Sequence, residues 1–210
     1  MTRIAILLSG RGSNMEALLD RCRDGSLGEV CEPVVVFSND PEAEGLKIAC
    51  GRGIQTVCVP SRRRSRRSFD ADLVAALSPY RPDLLVLAGF MRVLSSVVID
   101  RWPGGIVNIH PADSRTYQGA HGYEWAWDEG LEETRITVHL VDEGMDTGPI
   151  LDQAVVDLRG ASDLAEIKRR GLAVEHLFFA DVLERVCRGE VDLGRAWMER
   201  GGSDNPEGED

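Results

Sequence analysis

Short apolar runs alternate along the first half of the chain with segments whose apolar residues recur every three or four positions. Uninterrupted apolar runs are typical of strands buried on both faces of a sheet, whereas the longer spacing indicates helices with one buried side. This pattern predicts strands over residues 3–9, 33–38, 56–59, 83–88 and 106–109. It predicts helices between them over residues 14–23, 42–51, 68–77 and 96–101.

The second half has a different pattern. A helix is predicted over residues 121–129, followed by strands over 135–141 and 149–157 that have no helical segment between them and therefore form an antiparallel pair. Residues 163–187 predict one long amphipathic helix, in which Gly171 is a candidate interruption. The predicted fold class is α/β: a Rossmann-like, mostly parallel sheet with helices on both faces, an antiparallel strand pair in the C-terminal half and a long C-terminal helix.

Composition and charge limit the kinds of molecule that we expect the protein to bind. A chain of 210 residues with 43% hydrophobic residues suits one folded domain. The net charge of -11 is uneven, with -2 over residues 1–60, +4 over 61–101 and -13 over 102–210. This balance disfavours a nucleic-acid surface but leaves room for a small phosphorylated substrate near the first half. The arginine run at 62–67 is interpreted first as a solvated loop or helix start, and second as a phosphate or partner site.

Several site classes are disfavoured by spacing. The five cysteines show no CxxC pair, which predicts free thiols, and the four histidines lack the HxH and HxxxH spacings, which predicts no metal site. No apolar run is long enough for a membrane helix. The apolar stretch at 4–8 is too short for a signal peptide, so we expect a cytoplasmic protein.

A glycine loop, SGRGSN, joins the first predicted strand to the first helix. Doubly wound folds bind phosphate at this position, with backbone amides and the helix dipole facing the anion. Met15 stands where the dinucleotide fingerprint has its third glycine, and the lysine of a P-loop is absent. The loop therefore favours a phosphate monoester held near Gly12, Ser13 and Asn14; the alternative is a tight turn that needs glycine.

Two polar side chains leave the end of the fifth predicted strand on the same side. Asn108 and His110 are two positions apart, so an amide and an imidazole could together stabilise an oxyanion. The loop DEGMDTGP at 142–149 supplies Asp146, which we expect to face His110, raise its pKa and keep it charged, and to take protons through water. The alternative is a plain hairpin turn. Since a GxSxG motif is absent, direct transfer between two bound substrates is favoured.

Four segments in this order, SGRGSN, LAGFMRVLS, NIHP and DEGMDTGPIL, resemble the folate-dependent formyltransferase superfamily. The resemblance covers residues 1 to about 190. The GSN loop and the short length favour the branch that acts on glycinamide ribonucleotide in purine biosynthesis. The resemblance implies that 10-formyltetrahydrofolate gives its formyl group to the amine of 5-phosphoribosyl-glycinamide by direct attack through a tetrahedral intermediate, without a metal.

The resemblance also implies roles for individual residues. The expected catalytic set is Asn108, His110 and Asp146. The expected substrate contacts are Gly12, Ser13 and Asn14 for the phosphate and Glu175 for the ribose. The expected folate contacts are Met91, Arg92, Val93, Leu94, Asn108 and Asp142. A phosphate-binding half at 1–100 and a catalytic, folate-binding half at 101–195 would form one domain, followed by an acidic tail at 196–210 that is disordered at its end. The expected partners are small molecules, with no nucleic acid and no membrane, and a homodimer is a candidate assembly.

Two departures from the family pattern bear on specificity. The segment after NIHP, residues 112–118, reads ADSRTYQ and carries Asp113 and Arg115, whereas the family has Ser-Leu-Leu-Pro there. Ala71 stands where some members have a folate-contacting arginine, a role that residues 62–67 could take over. The alternatives are therefore transfer to another small phosphorylated or sugar amine, hydrolysis of formyltetrahydrofolate, or ligand binding without catalysis.

Overall fold

The computed structural model describes residues 1–199, and within them seven strands form one sheet in the order β3-β2-β1-β4-β5-β6-β7. The strands are β1 (Thr2–Leu8), β2 (Cys31–Ser38), β3 (Thr56–Cys58), β4 (Leu84–Leu87), β5 (Ile106–His110), β6 (Glu133–Leu140) and β7 (Ile150–Asp157). Strands β1 to β5 are parallel, whereas β5–β6 and β6–β7 are antiparallel. The predicted α/β class and antiparallel pair are confirmed.

Helices cover both faces of this sheet. They are α1 (Ser13–Asp24), α2 (Leu27–Val30), α3 (Glu44–Gly51), α4 (Arg66–Leu77), α5 (Ser96–Ile99), α6 (Gly122–Asp128), α7 (Leu164–Cys187) and α8 (Leu193–Glu199). Along β1, Ile4, Ile6 and Leu8 pack on the side of α1, α3, α6 and α7, while Ala5 and Leu7 pack on the side of α4 and α5. A strand buried on both sides needs an unbroken apolar sequence, which explains why residues 4–8 of β1 are all apolar.

Helix α7 is continuous. It begins where the Asp163 carboxylate accepts a hydrogen bond from the Glu166 amide at 2.8 Å, an N-cap that satisfies a free amide of the first turn. The interruption considered at Gly171 does not occur. Glycine is needed there for packing, because a Cβ at Gly171 would lie 2.2 Å from the ring of Tyr123 on α6.

Two short helices were not predicted. Helix α2 is a single turn, too short to show a periodic pattern. Helix α8 includes Trp197, whose Cβ lies 3.1 Å from the place where a side chain at Gly104 would begin. The predicted acidic tail starts at 196, inside α8, and its remainder from 200 to 210 lies outside the described residues.

The carboxyl ends of β1, β4 and β5 lie side by side at one edge of the sheet. The glycine loop leaves β1 at this edge, residues 88–95 leave β4, and Pro111 follows β5. Open α/β sheets bind ligands outside the carboxyl ends of their strands. The topology therefore gathers the three segments that carry the predicted chemistry.

Candidate functional site

A cavity of about 320 Å³ opens at this edge of the sheet. Its wall contains most of the residues selected from the sequence: Asn14, Met91, Arg92, Val93, Leu94, Asn108, His110, Asp142, Asp146 and Glu175. Gly12 and Ser13 are not part of the wall and lie directly before Asn14, at the start of α1. Segments far apart in sequence thus form one site of a size suited to small molecules.

The glycine loop has the geometry expected of an anion site. Gly12 has a φ of 79°, and a Cβ there would lie 3.0 Å from the Leu8 side chain and 3.2 Å from the Gly45 Cα. Only glycine fits this backbone and this close approach. No side chain caps α1, which begins at Ser13, so its first amides remain available to an anion.

Asn108, His110 and Asp146 meet in the cavity wall. His110 Nδ1 lies 3.4 Å from Asp146 Oδ2, and Asn108 Nδ2 donates to Asp146 Oδ1 at 3.3 Å. The other ring nitrogen of His110, Nε2, lies 2.9 Å from the carbonyl oxygen of Tyr117. The predicted encounter of Asp146 with His110 is therefore present, although residues 110 and 146 lie on different elements.

Burial and charge act in opposite directions on this pair. Burial lowers the pKa of His110, and this outweighs the raising effects of the Asp146 carboxylate and the Tyr117 carbonyl. Burial alone would raise the pKa of Asp146. Its contacts with His139, His110 and the Gly119 amide together have the larger effect and hold this pKa below its ordinary value. Asp146 is thus ionised at neutral pH and raises the pKa of His110 as expected, but this effect is smaller than that of burial and does not by itself keep the imidazole charged.

His139 completes this cluster and was missed from the sequence. It lies on β6 opposite Asn108 in the antiparallel register, with Nε2 3.0 Å from Asn108 Nδ2 and 3.4 Å from Asp146 Oδ1. Its Nδ1 lies 2.7 Å from the Leu140 carbonyl oxygen, to which it donates when it carries the proton. Asn108 therefore directs its amide group at two partners and must release one to donate to a substrate.

The loop between β6 and β7 holds Asp146 in a strained conformation. Asp146 has a φ of 54°, in the left-handed region that aspartate tolerates better than most residues. Its Oδ2 accepts from the Gly119 amide at 2.8 Å. Asp142 braces the same loop, since its Oδ1 accepts from the Gly144 amide at 3.0 Å and the Thr147 hydroxyl at 2.6 Å. These bonds aim the Asp146 carboxylate at the strand end.

Glu175 lies in the cavity wall beside Asn14, with 5% of its surface exposed. Asn14 Nδ2 donates to its Oε2 at 2.6 Å, and the Tyr123 hydroxyl donates to its Oε1. Burial raises the pKa of Glu175, and both hydrogen bonds oppose that rise by favouring the carboxylate. The Asn14 Oδ1 atom is buried without a partner in the described structure, so this part of the cavity wall retains an unused acceptor.

The Gly171→Ala substitution tests the packing of α7 against Tyr123, whose hydroxyl donates to Glu175. The new methyl group would overlap the Tyr123 ring, so we expect the free energy of unfolding to fall by about 1–2 kcal/mol. Denaturant titration followed by circular dichroism measures this loss. Gly51→Ala is the matched control, because a Cβ at this helical position meets nothing within 4 Å. Equal stability of the two variants would contradict the packing assigned to Gly171.

Residues 91–94 form an apolar wall of the cavity. Leu94 is almost fully buried, Met91 is 65% exposed at the rim, and the Arg92 guanidinium lies over the Phe69 ring at 4.6 Å. The Met91 amide donates to the Ser9 hydroxyl at 2.8 Å, which ties this segment to the end of β1. Ala71 is exposed on α4 and is not part of the cavity wall.

The unusual charges of residues 112–118 point away from the cavity. Asp113 pairs with Arg115 at 3.0 Å and accepts from Gln153 on β7 at 3.0 Å, and Arg115 lowers the pKa of Asp113 to about 2. Neither Asp113 nor Arg115 belongs to the cavity wall. Tyr117 stacks on Trp125 at 4.8 Å and offers its carbonyl to His110. The charges therefore brace the loop and do not line the site.

Residues 1–199 contain no cluster of His, Cys, Asp or Glu that could hold a metal ion. Within the same range, no helix is both long and apolar enough to cross a membrane. All five cysteines are free thiols, as their spacing predicts.

Comparison with known proteins agrees with this geometry. The chain matches the family described as formyl transferase over residues 2–183. It is 34% identical to the phosphoribosylglycinamide formyltransferase of Escherichia coli, over 93% of each chain. A solved structure of glycinamide ribonucleotide transformylase 1 from Symbiobacterium toebii superposes with a TM-score of 0.84 at 34% identity, covering 90% of this chain and 89% of that one.

A longer relative contains a similar segment. The chain is 40% identical over 188 residues to the trifunctional purine biosynthetic protein adenosine-3 of Drosophila melanogaster. This match covers 89% of the chain but only 14% of the fly protein.

Proposed function

The chain belongs to the formyl transferase family, and on this premise we propose that it transfers the formyl group of 10-formyltetrahydrofolate to the amine of 5-phosphoribosyl-glycinamide, a step of purine biosynthesis. One observation carries the proposal: Asn108, His110 and Asp146 meet in the wall of a cavity that residues 91–94, Asn14 and Glu175 also line. This arrangement offers separate places for two small substrates around one reacting centre.

The residues present fit a folate and a ribonucleotide. The apolar wall at 91–94 suits a flat heterocycle, and Arg92 beside it offers a positive charge. Elsewhere in the cavity wall, the Glu175 carboxylate and the free Asn14 Oδ1 suit ribose hydroxyls. The uncapped start of α1 suits a phosphate. The folate supplies an activated formyl group to this site.

Each catalytic side chain has a distinct task. Asn108 and His110 donate to the formyl oxygen, which gains negative charge as the amine attacks the formyl carbon. His110 must release the Tyr117 carbonyl from Nε2 to make this bond, because its Nδ1 faces Asp146. His110 is a better donor as that charge develops, since a nearby anion raises its pKa against the effect of burial. Asp146 favours the charged imidazole and accepts a proton released by the attacking amine, and the folate nitrogen regains a proton when its bond to carbon breaks.

The alternatives differ in acceptor or in outcome. Another phosphorylated or sugar amine is the alternative raised by Asp113 and Arg115; both residues lie outside the cavity wall, which favours the glycinamide acceptor. Hydrolysis of formyltetrahydrofolate would use the same three residues with water as the acceptor. A protein that only binds these ligands would not need the cluster around Asp146.

A formyl-transfer assay with a panel of acceptors separates these functions. We expect turnover with 10-formyltetrahydrofolate and glycinamide ribonucleotide, and little formate release without an acceptor. The absorbance of the folate product and chromatography of the formylated product measure the two outcomes. Turnover of another amine in place of glycinamide ribonucleotide would overturn the acceptor, and rapid formate release alone would identify a hydrolase.

A further inference from the structure

Helix α4 supports the wall at 91–94 from outside the cavity. Arg66 Nη2 donates to the Leu94 carbonyl oxygen, and the Phe69 ring lies under Arg92 at 4.6 Å. The buried Asp70 accepts from both the amide and the hydroxyl of Ser95, at 2.7 and 2.6 Å. Contacts on the first turns of α4 therefore fix residues 92–95, although α4 itself contributes no residue to the cavity wall.

Arg66 also reaches a second segment beside the cavity. The same Nη2 donates to the Glu143 carbonyl oxygen at 3.1 Å, within the loop that carries Asp142 and Asp146. One terminal nitrogen thus joins two segments of the cavity wall that lie 28 and 77 residues away in sequence, at a point where their backbones come close together. In the described structure the Arg66 Nε is buried without a hydrogen-bond partner. The guanidinium therefore bonds to both wall segments through their backbone carbonyl groups.

We propose that Arg66 is a positioning residue that fixes the spacing between the wall at 91–94 and the loop at 142–146, and that it thereby sets the affinity for the folate. This inference rests on the proposed function, in which the folate contacts residues 91–94 and Asp142. Both hydrogen bonds come from one terminal nitrogen of Arg66, which lies one bond further from the backbone than the ammonium of a lysine, so a lysine does not reach both carbonyl oxygens.

The variants Arg66→Gln and Arg66→Lys test this role. We expect the KM for 10-formyltetrahydrofolate to rise about tenfold in both, which corresponds to about 1.4 kcal/mol. The KM for the ribonucleotide and kcat should stay within about threefold of wild type. Asp146 keeps its own contacts with Gly119, Asn108 and the two histidines, so the reacting centre should remain intact.

Arg67→Gln is the matched control. Arg67 lies on the same helical turn and donates to the Ser96 hydroxyl at 3.1 Å, outside the cavity wall. Its loss removes the same charge from the same region and should leave the folate KM unchanged. Circular dichroism of each variant establishes that the fold is retained.

Direct binding keeps this inference separate from the proposed function. Tetrahydrofolate binding to each protein, followed by intrinsic tryptophan fluorescence, should weaken in the Arg66 variants in parallel with KM. Wild-type protein that fails to bind the folate would overturn both proposals. Normal binding by Arg66→Gln, wild-type behaviour of Arg66→Lys, an equal loss in Arg67→Gln, or a joint change of both KM values and kcat would overturn the positioning role alone.

Discussion

We expect the Asp146→Asn variant to lose about a thousandfold in kcat for formyl transfer while it keeps its fold. Asparagine has nearly the same shape and also tolerates a φ of 54°, so the loop can keep its conformation. The negative charge beside His110 is lost, and so is the carboxylate that we propose as the acceptor of the amine proton. Steady-state kinetics at saturating substrates measures the effect.

The same substitution has a spectroscopic signature. Because burial of His110 is unchanged and the attraction of the carboxylate is removed, the pKa of His110 should fall further below its ordinary value. Titration of the imidazole signals by nuclear magnetic resonance records this shift. Asp157→Asn makes the same chemical change on the surface, where Asp157 pairs with Arg159, and should keep wild-type kcat. A rise in the His110 pKa of Asp146→Asn would contradict the assigned electrostatics.

Replacing His110 with alanine should lower kcat about a hundred- to a thousandfold. The imidazole borders the cavity next to Asp146, and its loss removes the donor that we propose for the oxygen that becomes negative during attack. Ribonucleotide binding should change little, because the proposed ribonucleotide contacts, Asn14 and Glu175, are held by each other and by Tyr123. Kinetics at saturating substrates, together with titration calorimetry of the ribonucleotide, separates the two effects.

Loss of packing needs its own control, because His110 is only 3% exposed. Val138→Ala removes a fully buried side chain from β6, directly beside β5, without altering the cavity wall. We expect it to lower the unfolding temperature and to leave kcat near wild type. If His110→Ala retained near wild-type turnover, or if Val138→Ala lost as much, the catalytic role of His110 would be wrong.

The two halves of the molecule contribute differently to the site. The parallel half supplies the glycine loop, the wall at 91–94 and the strand end with Asn108 and His110. The antiparallel pair supplies His139 and the loop of Asp146, and α7 supplies Glu175. The region matched by the formyl transferase family, residues 2–183, includes all of these segments.

Much of the fold could be predicted because its signals are local. Continuous apolar runs identify strands buried on both faces, as in β1. The glycines of the SGRGSN segment indicate a turn, and in the structure Gly12 has a φ of 79°. The adjacent Asn108 and His110 could be placed together because alternation along one strand requires no knowledge of its neighbours. These properties depend on residues a few positions apart in the chain.

Other features arise only when distant elements pack. His139 meets Asn108 through the antiparallel register of β5 and β6, and no spacing in the sequence specifies that register. Glycine is a residue type that often interrupts helices, but Gly171 lies within a continuous helix, where the absence of a side chain leaves room for the ring of Tyr123. Arg66, within an apparently solvated run, holds two cavity walls through backbone carbonyls, groups that every residue possesses and no sequence pattern distinguishes.

The sequence alone determined the alternation of strands and helices and the glycine loop after β1, and it selected the amide, imidazole and carboxylate that meet in the cavity wall. Only the tertiary structure decided how the chemistry of that cluster is tuned. Asp146 raises the pKa of His110, as its charge requires, but burial of the imidazole lowers it more. Desolvation depends on all the atoms that surround a group, and those atoms come from every part of the folded chain.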